Sequence, residues 1–113
     1  MNDESIISYF SNEAFVLKTQ QQIEKDFAKF SLYLPESFVL EPLDKLAIEL
    51  LIQEKIAEVM KYGETQLMQL LYTIDIPESD FLHLITAPDF IKNISEMILK
   101  REALKVFFRQ KYS

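Results

Sequence analysis

The side chains best suited to chemistry in this chain of 113 residues gather in two places. The first holds Asp75, Glu78, Asp80 and His83, the chain's only histidine. Hard carboxylate oxygens beside one imidazole are the donors of a metal site, and these four are the weak metal candidates. Their spacing matches no EF-hand loop, no HExxH pair and no inward-facing Glu-x-x-His arrangement. Acids early in a helix also offset its dipole without binding anything, and His83 is expected to face solvent.

The second place holds Arg101 and Lys105. At about 100° per residue Arg101 falls between Met97 and Leu104, inside an apolar stripe. A buried guanidinium needs an acceptor, because an unpaired buried charge is costly. Either a carboxylate from another helix or an edge serves it, or Arg101 and Lys105 form an anion site. The structural option is the favoured one.

Other chemistry is excluded by composition. The chain has no cysteine, so there is no disulfide framework, no thiolate zinc site and no thiol nucleophile. One glycine cannot build a phosphate loop, and no serine stands in a GxSxG turn. No cofactor is expected, and catalysis is not the expected role. The net charge is −6, which opposes a nonspecific grip on nucleic acid. The charge is uneven: residues 1–99 hold 17 acids and 7 bases, residues 100–113 hold 1 acid and 5 bases. Cations there suit a helix C-terminus. Neither a leader peptide nor an apolar run of about 18 residues is present, so no membrane association is expected and the cytoplasm is the default location.

The elements that must position these groups are helical. With 49% hydrophobic residues but only one Gly and four Pro, the chain lacks the turn residues of a sandwich or barrel. The fold expected is all-α, one domain over 1–113: a compact bundle of about four main helices plus a short N-terminal turn or helix. Residues 1–11 form a docking turn through Ile6, Ile7, Tyr9 and Phe10, or fray. The first helix spans about 12–31, with Val16, Ile23, Phe27 and Phe30 on its core stripe and Gln22 and Asp26 away from it. After a break at Pro35, the central helix spans about 42–62. Leu43, Leu46, Ala47 and Leu50 lie on one side of it, Ile52, Ile56, Val59 and Met60 on nearly the opposite side. Gly63 follows it, where a helix C-cap needs a residue tolerant of positive φ. A short helix follows over 64–75, then one from Pro77 to about Thr86 that buries Phe81, Leu84 and Ile85.

Thr86 and Asp89 resemble a capping box for a last helix reaching about Gln110. Its main stripe is Phe90, Ile91, Ile94, Met97, Ile98, Leu104 and Phe108. A second apolar patch, Leu99, Ala103, Val106 and Phe107, exceeds what one core requires. The leading functional expectation is therefore a noncatalytic protein that self-associates through those four residues, with the second-half face of the central helix as an addition. An acidic adaptor or inhibitor of a basic protein is the first alternative. A small enzyme or ligand-binding protein with an inter-helix pocket is the second.

Overall fold

Two short polar side chains set where the first long helices begin. Asn12 accepts the Phe15 N–H at 3.1 Å and starts α1, Glu13–Ala28. Asp44 accepts the Ala47 N–H at 2.8 Å and starts α2, Lys45–Met60. Each satisfies an amide that the first turn leaves without a helical partner. Residues 8–112 are described, in a computed structural model. Ile6 and Ile7 lie outside them. The remaining helices are α3, Glu64–Thr73, α4, Glu78–Phe81, which continues as a 3-10 turn over Leu82–Leu84, and α5, Phe90–Tyr112. Further 3-10 turns occur at Tyr9–Ser11 and Glu36–Val39, and the described residues contain no strand. None of their helices is long and apolar enough to cross a membrane.

The helix ends depart from the sequence expectation for local reasons. The central helix starts after Pro42 because the Leu43 N–H donates to Gln20 Oε1 at 2.7 Å, which holds Leu43 out of the first turn. The same Gln20 amide donates to the carbonyls of Phe38, at 2.7 Å, and Glu41, at 3.0 Å. One buried side chain thus ties the whole 38–43 connection to α1. α1 stops early because Ser31 enters the left-handed region at φ 57°, and Leu32 N–H reaches back to Phe27 O. Asp75, at φ 70°, ends α3 in the same way. Both are six-to-one closures usually built on glycine. Gly63 adopts φ 102°, a conformation other residues rarely hold, between α2 and α3. The capping box at Thr86 does not form: Asp89 has φ 61° and the helix begins only at Phe90.

The core draws on every helix. Phe27 from α1, Ile48, Ile52 and Ile56 from α2, Leu67 and Leu71 from α3, Phe81 from α4 and Ile94 and Ile98 from α5 are fully enclosed. α5 packs most extensively against α2 and then against α1. Because α1 covers one flank of α5, the buried arc of α5 runs through Ile94, Ile98, Glu102 and Val106. It keeps Ile94 and Ile98 of the expected main stripe, leaves Phe90, Ile91 and Met97 half-buried against the core, and exposes Phe108. The same contact buries Gln22 and Asp26 of α1, which the helical wheel placed outside the core.

α2 divides its faces differently. Its core face carries Ile48, Ile52, Ile56 and Val59, so the second-half face lies inside the chain. The opposite face leaves Leu46 63% and Leu50 54% exposed, with Leu43 half-buried beside them.

Candidate functional site

A groove of about 510 Å³ runs between the α4 segment and one face of α5. α5 contributes Asn93, Glu96, Met97, Lys100, Arg101 and Leu104, which recur every three or four positions and so line one strip. The opposite wall carries Asp80, His83 and Leu84, with Ile76 and Pro77 at the entry to α4. Arg101 is half-buried, on the margin of the buried arc rather than inside it. Its Nε is shielded from solvent and meets no acceptor.

Lys105 does not join it. The Lys105 ammonium turns toward α1, where Nζ lies 2.8 Å from Asp26 Oδ2 and 3.1 Å from Glu102 Oε1. Lys29 adds a longer contact, 3.6 Å to Asp26 Oδ1, and Arg109 donates to Gln22 just beyond. The anion pair suggested by Arg101 and Lys105 is therefore split between two sides of α5, and Lys105 belongs to a buried ion cluster.

Glu102 is wholly enclosed, and neither of its carboxyl oxygens accepts a hydrogen bond in good geometry. Burial, reinforced by the neighbouring Asp26 carboxylate, pushes its pKa up to about 9. It is a neutral acid at neutral pH and can share its proton with Asp26. For Asp26 burial acts upward, but hydrogen bonds with Glu102 and Lys105 outweigh it and hold the carboxyl below its usual 3.8. For Lys105 burial acts downward, and the two carboxyls outweigh that and raise it. This cluster went unread in the sequence, although Glu102 falls between Leu99 and Val106 on the second apolar patch. An acid at the centre of such a patch is the signal that was there to find.

The metal candidates separate. Asp75, Glu78, Asp80 and His83 are all exposed, and only Asp80 and His83 reach the groove. Among the described residues no group of three or more such side chains could hold a metal ion. The four interface candidates pack inside the chain. Ala103, Val106 and Phe107 form a satellite cluster with Phe15, and Leu99 belongs to the main core. Tyr9 and Phe10 of the N-terminal turn close over it, their rings 5.3 Å and 6.2 Å from that of Phe15. The surplus apolar patch inferred from the helical wheel is thus taken up by the chain's own N-terminal segment and α1. Compared with known proteins, the chain matches no family model, no curated protein and no solved structure.

Proposed function

We propose that this chain is a noncatalytic interaction protein that self-associates through the solvent face of the first half of α2. The observation that carries the reading is the exposure of Leu46 and Leu50, one helical turn apart, on a helix whose other face is already filled by the core. Leu46, Leu50 and Ala57 fall four and seven residues apart on that face, the spacing of one side of a helix, and Leu43 lies just before its start. A second copy of the chain suits this face. A symmetric pair of this kind needs only one self-complementary patch. The ion pairs Lys45–Glu49 and Lys55–Glu58 lie on the same helix and offset part of its charge.

The test is solution mass by light scattering across a micromolar concentration series, on the wild-type chain and on a Leu46→Glu/Leu50→Glu variant. The expected result is a wild-type dimer whose melting temperature rises with concentration, and a folded variant monomer whose melting temperature does not. A wild-type monomer throughout, or a variant that still dimerises, overturns the reading.

A further inference from the structure

The groove between α4 and α5 has a floor the self-association reading does not use. We infer that it is a binding site for a small amphiphilic monocarboxylate, with Arg101 as the residue that takes the carboxylate. Three features argue for this ligand class. Arg101 makes no ion pair or hydrogen bond among the described residues, and its Nε is buried without an acceptor. By contrast Lys45, Lys55 and Lys105, also half-buried, each have a carboxylate within 3.3 Å. A guanidinium on the groove lining with no carboxylate beside it lacks what a carboxylate ligand supplies, two oxygens matching its planar fork.

The walls select the rest of the molecule. Leu84, Met97 and Leu104 give the groove an apolar side, suited to an aromatic ring or a short aliphatic tail. Its volume, about 510 Å³, lies in the range of small-molecule sites. Asp80 and Glu96 stand on the same lining as Lys100 and Arg101, so the groove has no surplus of positive charge to offer a second anionic group. Together with the net charge of −6, they disfavour nucleotides, polyphosphates and nucleic acid. A single carboxylate with an apolar body satisfies all of these surfaces at once.

The experiment is a titration of the isotopically labelled full chain with 3-phenylpropionate at neutral pH, followed by amide and Arg101 Nε–H resonances. The expected result is saturable binding below about 10 mM, with shifts confined to α4 and to residues 93–104 of α5. The neutral alcohol 3-phenylpropanol and inorganic phosphate should each bind at least about tenfold more weakly, one lacking the charge and the other the tail. Arg101→Met should lose at least about tenfold in affinity, and Arg101→Lys should bind with intermediate strength because it keeps the charge without the fork. Absence of saturable binding, equal binding of the alcohol or of phosphate, or shifts located elsewhere would each overturn the assignment. The comparison of acid, alcohol and phosphate is made on the wild-type chain, so it stands even if a variant fails to fold.

Discussion

Lys105 and Asp26 are 79 positions apart in the chain, and their charged atoms meet at 2.8 Å across the joint between α5 and α1. Glu102, one turn before Lys105 on the same helix, completes a cluster of two carboxyls and one ammonium with almost no access to solvent. Two carboxylates and one cation cannot all be charged cheaply in such a place, and the enclosed Glu102 is the one that keeps its proton.

The first prediction concerns pH. In the unfolded chain Glu102 releases its proton near 4.5, whereas in the folded chain it holds it to about 9. Between those values the native state binds the extra proton, so a rise in pH favours unfolding. The stabilisation from Glu102 is complete below 4.5, declines through the window and is gone above about 9. One proton sets a ceiling of about 1.4 kcal/mol per pH unit on that slope. Asp26 acts in the opposite sense: its contribution is present above 3.8 and is lost as pH falls further. Glu102→Gln keeps a donor toward Asp26 and removes the titration. Urea unfolding at mildly acidic, neutral and alkaline pH should show the wild-type chain losing stability with rising pH and the variant staying nearly flat. Equal slopes in both proteins would mean that Glu102 does not carry the proton.

Removing the cation should be worse than removing the acid. Lys105→Met leaves Asp26 buried and ionised, with the largely exposed Lys29 as the only cation left beside it among the described residues. Breaking a buried pair in this way costs about 3–5 kcal/mol. The double variant Asp26→Asn/Lys105→Met has no stranded charge and should recover a large part of that loss. A double-mutant cycle by chemical denaturation measures the coupling, and purely additive effects would show that the two residues do not depend on each other.

Much of the fold could be read from the sequence because it follows from composition and period. Scarce Gly and Pro, and apolar residues at helical spacing, led to an all-helical chain and to five helical segments near their observed places. The helix ends were less legible, since Ser31, Asp75 and Asp89 hold left-handed positions that glycine usually signals. The functional faces were less legible still. A helical wheel shows which side of α5 is apolar but not which neighbour covers it. Leu99, Ala103, Val106 and Phe107 therefore looked like surplus, when the main core takes Leu99, and Phe15, Tyr9 and Phe10 gather over the other three. The same ignorance of neighbours put Asp26 in solvent and Arg101 in the core. On α2 the two apolar sides were correctly separated, but only the packed structure distinguishes the one left exposed.

That reversal makes a prediction of its own. Leu99→Ala opens a cavity in the main core and should cost about 2–5 kcal/mol. It should leave the oligomeric state untouched under conditions where the chain remains folded. Thermal unfolding together with light scattering separates the two effects. A loss of association without a loss of stability would return Leu99 to the surface role suggested by the sequence.

The left-handed residues offer a gain rather than a loss. Ser31 and Asp75 close their helices at φ 57° and 70°, where a Cβ is crowded against the backbone. Ser31→Gly and Asp75→Gly relieve that crowding and should each stabilise the chain by about 0.5–1 kcal/mol after the added unfolded-state entropy is counted. Asp89→Gly is the contrasting case. Asp89 has a similar φ of 61°, but it stands at the head of α5, where its charge favours the helix dipole. Its replacement should be nearly neutral, and a gain there equal to that at Ser31 would show that the dipole contributes nothing.

Gln20 provides the most local prediction. Its amide is the shared partner of the Phe38 and Glu41 carbonyls and of the Leu43 N–H, so three backbone groups of one connection depend on a single side chain. Gln20→Leu keeps similar bulk and withdraws all three partners. Phe38 is fully enclosed, so its carbonyl has little access to water as a substitute. Leaving such groups unsatisfied should cost about 2–4 kcal/mol in all. The effect should also be uneven along the chain. Hydrogen exchange at the Leu43 amide should rise toward that of an open loop, while amides in the middle of α5, such as Ile98, slow or speed only with global stability. If Leu43 and Ile98 change by the same factor, Gln20 acts through the whole core and not as the clamp that fixes where α2 begins.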